Sequence, residues 1–97
     1  MELPSAYARA MAGDEVVAVG RAVADTGWAG LFGMATIPRA RGTGAARTVL
    51  AALATWANTQ RADRLYLQAA RDNTAALRLY ARAGFTELAA YHYRVSL

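Results

Sequence analysis

The spacing of apolar residues first changes from a strand period to a helix period at Gly42-Thr43-Gly44, and that change constrains the fold more than any other feature. Upstream of it, short apolar stretches separated by turn signals predict β-strands. The predicted strands are Ser5 to Met11, Glu15 to Val23 and Trp28 to Ile37. Gly13-Asp14 and Asp25-Thr26-Gly27 make the connections short, so we expect an antiparallel meander. Three valines of the second strand are expected on one face: Val17, Val19 and Val23.

Downstream of the change, apolar residues recur at helical spacing from Ala45 to about Gln60. The residues on this helix face are Ala46, Val49, Leu50, Leu53 and Ala57. A short alternating segment, Arg64 to Ala70, predicts a strand with Leu65, Leu67 and Ala69 on the side opposite Tyr66 and Gln68. The intervening helix is a right-handed crossover, so this strand should run parallel to the strand Trp28 to Ile37.

A second helix is predicted from Thr74 to Ala83, and a final strand from Thr86 to Val95. Asp72-Asn73 offers the helix cap, and Gly84 suits the left-handed residue that ends a helix. The expected apolar face of the helix is Leu77, Tyr80 and Ala81, and the strand should alternate at Ala89, Tyr91, Tyr93 and Val95. The fold class is therefore α+β, a mixed α/β arrangement with an antiparallel meander followed by helix, strand, helix and strand.

Composition narrows the class of protein. Ninety-seven residues with 56% hydrophobic content predict one folded domain spanning residues 1–97. Because cysteine is absent, disulfides, a thiol nucleophile and Cys-based zinc sites are excluded, and we expect no metal. The N-terminus has no signal-peptide pattern and no apolar run could span a membrane, so a cytoplasmic chain without a membrane partner is expected. All eleven basic residues are arginines scattered along the chain, which does not predict a nucleic-acid surface.

The loop Arg41 to Ala46 joins a strand to a helix and is rich in small residues. The first turn of a helix has N–H groups without internal partners and carries partial positive charge, so a phosphate could approach the backbone there. Arg39, Arg41 and Arg47 could add charge at the rim. The loop is neither a P-loop nor a dinucleotide fingerprint, and a turn that serves only geometry remains the alternative.

The loop and the residues after it, taken in order, resemble the GNAT superfamily of N-acetyltransferases. Its signature loop, Gln/Arg-x-x-Gly-x-Gly/Ala, is matched by Arg41, Gly44 and Ala46, and in a second register by Arg39, Gly42 and Gly44. The first register aligns Thr36-Ile37-Pro38 with the family's Val-x-Pro. Later segments follow the family pattern in order and spacing: Leu65-Tyr66-Leu67-Gln68, Asn73, Ala75-Ala76, Leu79-Tyr80 and Gly84-Phe85.

The resemblance implies an acetyl-CoA site. Met34, Ala35 and Thr36 would offer backbone groups to the pantetheine arm, and Asn73 would lie beside that arm. The pyrophosphate would bind along the loop and the helix start, at Arg41, Gly42, Thr43, Gly44, Ala45, Ala46 and Arg47.

The resemblance also implies the chemistry, transfer of acetyl from acetyl-CoA to a primary amine. Tyr80 matches the frequent general acid of the family, which protonates the leaving thiolate, although a core tyrosine on a helix face is the alternative. The resemblance does not identify the general base, because Gln68 occupies the position where the family often has glutamate. Glu87 and His92 are titratable candidates, and Asp72 suits a cap better than a base.

The chain departs from the family at both ends. The family's opening strand and two helices, which wall the acceptor site, have no counterpart, so the fold is expected to be partly truncated. Three readings are open: a module of a longer enzyme, a minimal enzyme completed by dimerisation, and a non-catalytic acyl-CoA-binding module. Exposed sheet edges favour a homodimer or an N-terminal companion domain.

Overall fold

The fold was analysed in a computed structural model of the chain, which describes residues 3–69, 73–89 and 92–96. Six strands form one mixed sheet in the order β1-β2-β3-β4-β6-β5. The strands are β1 Ser5–Ala12, β2 Glu15–Asp25, β3 Trp28–Thr36, β4 Arg64–Gln68, β5 Thr86–Ala89 and β6 His92–Ser96. Two α-helices, α1 Ala45–Thr59 and α2 Thr74–Arg82, follow β3 and β4, and a short 3-10 turn spans Pro38–Ala40. The predicted mixed α/β class is confirmed.

The meander β1-β2-β3 is antiparallel, as predicted, but its side-chain pattern was predicted wrongly. Ala10 pairs with Ala18 and Met11 with Val16, so Val17 is an extra residue in β2. The extra residue breaks the alternation, because the pleat after it is shifted by one position. Val17 and Ala18 are therefore both buried, whereas Val19 is 40% exposed.

Helix α1 packs on the meander through the face that its spacing predicted. Its buried residues are Ala45, Val49, Leu50, Leu53 and Ala57, and the predicted Ala46 is only half-buried. β2 makes room for the helix at Gly20, where an added Cβ would lie 2.8 Å from Cγ1 of Val49. The small residue thus allows the helix to approach the sheet closely.

Strands β3 and β4 run parallel, as the crossover helix predicted, but only along part of their length. Their pairing begins at Trp28 with Arg64 and ends at Leu31 with Leu67. β3 continues to Thr36 alongside β2, so the two parallel strands separate beyond Leu31. On β4, Leu65, Leu67 and the following Ala69 are buried as predicted.

The C-terminal part of the fold differs from the prediction in two ways. The expected single strand is a hairpin of β5 and β6, because the chain reverses to place β6 between β4 and β5. Tyr91, assigned to that strand, lies outside the described residues. On α2, Tyr80 is buried as predicted, but Ala81 is exposed. Tyr80 packs against the buried Phe85, which follows the left-handed Gly84 with φ +96°. No helix of the described residues is long and apolar enough to cross a membrane.

Candidate functional site

A cleft of about 610 Å³ opens where β3 and β4 separate. One wall is the end of β3, a second is the loop that begins α1, and the third is α2. The lining residues with a predicted role are Met34, Ala35, Thr36, Arg41, Gly42, Gly44, Ala45, Ala46, Arg47, Asn73 and Tyr80. Of the residues that the resemblance implies for coenzyme binding and for the general acid, all except Thr43 thus line one cleft.

The β3 wall presents backbone groups that no strand of the described residues takes up. Ala35 pairs with Val19 and Thr36 with Ala18 on the β2 side, whereas the pairing with β4 has ended at Leu31. Between these points the register with β2 shifts, and Gly33 adopts φ +61°, a conformation that favours glycine. The bulge and the missing partner leave the β4-facing side of Met34 to Thr36 as an open strand edge, to which an extended chain can add.

The loop that precedes α1, the second wall of the cleft, contains two glycines in the left-handed conformation. Gly42 has φ +78° and Gly44, the N-cap of α1, has φ +90°, and an added Cβ at either would meet nothing within 4 Å. No side chain caps α1 and its first turn has no acidic residue. The N–H groups at this helix start are therefore available to an anion, and the helix dipole adds positive potential.

Thr43 and Arg39 do not line the cleft, and the side chain of each has a partner elsewhere in the protein. The Thr43 hydroxyl donates to the carbonyl oxygen of Ala40 at 2.5 Å, which closes the loop on itself. Arg39 forms an ion pair with Glu15 on β2 and does not line the cleft, so the prediction that it contributes charge at the rim was wrong. Both side chains act on the conformation of the loop and its anchoring to the sheet.

Two α2 residues combine local structural contacts with a position on the cleft. The Asn73 side-chain oxygen accepts the backbone N–H of Ala76 at 3.2 Å and caps the helix, as predicted for this segment. Tyr80 is 5% exposed, packs edge-on against Phe85 at 5.5 Å between ring centroids, and still lines the cleft. Burial raises the pKa of the Tyr80 phenol above its ordinary value of about 10. Tyr80 is therefore a protonated donor at neutral pH.

The model of the acetyltransferase (GNAT) family matches residues 2–85. The chain belongs to the GNAT family. The uncharacterised N-acetyltransferase YobR of Bacillus subtilis (strain 168) is 33% identical over 82 residues, which cover 84% of this chain and 33% of YobR.

Solved structures of N-acetyltransferases share the fold. PaiA N-acetyltransferase from Thermoplasma acidophilum, crystallised with coenzyme A, superposes with a TM-score of 0.85 at 14% identity, over 96% of this chain and 61% of that one. The ribosomal-protein-S18-alanine N-acetyltransferase from Escherichia coli gives 0.78 at 20% identity, over 93% of this chain and 64% of that one. The GNAT chain described here thus spans a third of the length of YobR and about six tenths of these two structures.

Two arginines of α2 also line the cleft, which the sequence did not predict. Arg78 and Arg82 line the cleft together with Ala75, Leu79 and Ala83, at spacings of three and four residues that define one helix face. The spacing of these residues is visible in the sequence, but it does not indicate which face of α2 lines the cleft. Four arginines, Arg41, Arg47, Arg78 and Arg82, therefore line one cleft.

The candidate bases lie away from the cleft lining. His92 pairs in register with Gln68, and its Nδ1 is hydrogen-bonded to the hydroxyl of Tyr66, with the two rings stacked. Glu87 accepts a hydrogen bond from the Tyr93 hydroxyl at 3.0 Å. None of Gln68, Glu87 and His92 lines the cleft, and Asp72 lies outside the described residues.

Proposed function

We propose that this GNAT chain binds acetyl-CoA in the cleft and transfers its acetyl group to a primary amine. One observation carries the proposal: a single cleft joins an open strand edge, an uncapped helix start between two left-handed glycines, and a buried protonated phenol. These are the three features that an extended thiol-ended arm, a diphosphate and a leaving thiolate each require. The family membership supports the same chemistry.

The diphosphate would bind at the α1 start. Backbone N–H groups of the first helical turn would donate to it, because no side-chain cap competes for them. Arg41 and Arg47 approach from the same wall, and Arg78 and Arg82 from α2. Arginine suits phosphate oxygens because its planar fork donates two parallel hydrogen bonds.

The pantetheine arm would lie along the end of β3. Its amide groups would pair with the backbone of Met34, Ala35 and Thr36 as an added strand, which the early end of the β3–β4 pairing makes possible. Asn73 would stand on the other side of the arm. Its side-chain oxygen is occupied by the α2 cap, so only its amide NH2 is left to donate.

Tyr80 would protonate the leaving group. A neutral amine attacks the thioester carbonyl, the C–S bond breaks as the amide forms, and the sulfur leaves with the electron pair. A hydrogen bond from the Tyr80 hydroxyl stabilises the developing thiolate, and transfer of that proton yields free CoA. The proton that the nitrogen loses as the amide forms would then restore the Tyr80 phenol, whose raised pKa favours the protonated form.

The amine would reach the thioester already neutral or lose its proton to water. Among the described residues that line the cleft, none is a carboxylate or an imidazole, so no side chain there is placed to take the proton. A second copy or a companion domain would complete the acceptor side. Use of acetyl-CoA by a single coenzyme-binding domain also fits a cytoplasmic location.

Thiol release tests the proposal directly. The chain has no cysteine, so a thiol reagent reports only CoA freed from acetyl-CoA. We expect CoA release that depends on an added primary amine, screened over polyamines, amino-terminal peptides and lysine peptides. Acetyl-CoA binding without release under all these conditions would support the non-catalytic module instead.

Gly44→Glu tests where the coenzyme binds. Its carboxylate would lie near the diphosphate, and repulsion at about 5 Å with an intermediate dielectric is worth about 3 kcal/mol, or roughly a hundredfold in Kd. Gly13→Glu in the β1–β2 turn is the matched control, because Gly13 has φ +61° and open space around it but lies outside the cleft. Calorimetric titration that finds equal loss in both variants, or none in either, refutes the loop assignment.

A further inference from the structure

Met34 belongs both to the cleft and to the packed interior of the protein. It lines the cleft from β3, and its side chain is half-buried against the hydrophobic core. The position of Met34 depends on β2, where Gly20 lies opposite the bulge of β3. Gly20 is buried together with Ala18 and Ala22, so it lies on the sheet face that α1 covers.

The space above Gly20 is filled by the side chain of Met34 and by two residues of α1. An added Cβ at Gly20 would collide with the Sδ atom of Met34. It would also lie 2.8 Å from Cγ1 of Val49 and 3.1 Å from Cδ1 of Leu53. Val49 and Leu53 are each 1% exposed and do not line the cleft. The thioether of Met34 is therefore the part of the wall that separates the cleft from the core beneath α1.

Met34 also lies towards the closed end of the cleft. The cleft runs from the start of α1 to the point where β3 and β4 come together, at the pair of Leu31 with Leu67. Among the residues of β3 that line the cleft, Met34 is the nearest in sequence to Leu31. With the diphosphate at the start of α1, the pantetheine arm would extend along β3 towards Met34. The thioester would then lie at the closed end, between Met34 and Tyr80.

We propose that Met34 determines which acyl group the cleft accepts, and that its side chain restricts the donor to acetyl-CoA. This inference rests on the proposed function and adds the donor specificity of the same site. An acyl chain longer than acetyl would extend into the space above Gly20, which the Met34 thioether occupies. Methionine suits such a position because its unbranched side chain fills an irregular gap.

A shorter side chain at position 34 would convert this part of the wall into an acyl pocket. Met34→Ala removes three heavy atoms, and the space that they leave would be bounded by Gly20, Val49 and Leu53. These walls are apolar, so the space would favour hydrocarbon over water. A butyryl group has two methylenes more than an acetyl group. Burial of each methylene strengthens binding about fourfold, so two would strengthen it roughly 15-fold.

Calorimetric titration with CoA, acetyl-CoA and butyryl-CoA tests the proposal, and it needs no acceptor amine. We expect butyryl-CoA to bind the unmodified chain no more tightly than acetyl-CoA. Met34→Ala should bind butyryl-CoA roughly 15-fold more tightly than acetyl-CoA. Met34→Val, whose side chain is of intermediate length, should give an intermediate ratio of the two Kd values. The Kd for CoA itself should be the same in all three proteins, because CoA carries no acyl group.

Met11→Ala is the matched control, since it deletes the same atoms from a methionine that is 46% exposed on β1 and lies outside the cleft. Its ratio of Kd values should equal that of the unmodified chain. Circular dichroism verifies the fold of each variant. If Met34→Ala does not fold, Met34→Val decides the test, because a β-branched residue suits a strand.

Two outcomes separate this inference from the proposed function. If all the proteins bind CoA but the Kd ratio is the same with and without the Met34 substitutions, the role of Met34 is refuted and the coenzyme site stands. An equal shift in Met11→Ala would likewise refute the role of Met34. If the unmodified chain binds neither CoA nor acetyl-CoA, both the proposed function and this inference are wrong.

Discussion

Replacement of Tyr80 by phenylalanine isolates one hydroxyl group of the proposed site. The phenyl ring keeps the edge-on contact with Phe85, and no described buried side-chain polar atom in the structure lacks a partner, so the packing should tolerate the change. We expect the free energy of unfolding to change by less than about 1 kcal/mol. The effect on turnover should therefore reflect chemistry and not folding.

The expected loss in turnover follows from the hydrogen bond that the Tyr80 hydroxyl would donate to the leaving thiolate. A hydrogen bond to a charged partner is worth about 1.5–3 kcal/mol, which corresponds to a fall in kcat of roughly 10- to 150-fold. The affinity for acetyl-CoA should change little, because the thioester ground state carries no charge at sulfur.

Thiol-release kinetics with the best amine acceptor measure kcat, and calorimetric titration measures the Kd for acetyl-CoA separately. Tyr66→Phe is the matched control, since it also removes one phenol hydroxyl but acts on the Tyr66–His92 contact outside the cleft. A Tyr80→Phe variant with wild-type kcat, or one that loses binding and turnover together, would refute the assignment of Tyr80 as the acid.

The same residue predicts a pH effect on stability. Burial raises the pKa of Tyr80 in the folded state above its value in the unfolded chain. The contribution of Tyr80 to the free energy of unfolding is thus fully present below about pH 10 and is lost as the pH rises through the folded-state pKa of Tyr80. Chemical denaturation from pH 8 to 11 should show a steeper loss of stability for the wild type than for Tyr80→Phe.

Two further predictions address the α2 wall and the core. Arg82→Ala should weaken acetyl-CoA binding by about 1 kcal/mol, near fivefold in Kd, and the loss should be smaller at high salt. The control Arg61→Ala, just beyond the far end of α1, should leave the Kd for acetyl-CoA unchanged. If calorimetry gives equal Kd values for the two variants, Arg82 does not belong to the site. Leu53→Ala should lower the free energy of unfolding by 2–5 kcal/mol in urea denaturation, because Leu53 is 1% exposed between α1 and the sheet. A loss below about 1 kcal/mol would contradict that packing.

Prediction from the sequence succeeded where local conformation decides. The three-to-four spacing that gave α1 its buried face, and the alternation of Leu65 and Leu67 on β4, were visible because each period is a property of the backbone itself. The same holds for Gly84 at the end of α2, whose φ of +96° is a conformation that glycine adopts without strain.

Prediction failed where contacts distant in sequence decide. The extra residue at Val17 and the reversal between β5 and β6 depend on which strands pair, and one inserted residue changes the buried set of a whole strand. Arg39 was expected in the site but pairs with Glu15 on β2, a residue far away in the chain. No local pattern records these partners.

The sequence by itself determined the elements from β1 to α2, their order and the small-residue loop at Gly42 to Gly44, because propensity, period and left-handed glycines act over a few residues. Only the tertiary structure decided that the β3–β4 pairing stops at Leu31, and that α2 brings Arg78, Arg82 and Tyr80 against the start of α1. A cleft is a property of surfaces that meet, and their meeting depends on packing summed over the whole sheet.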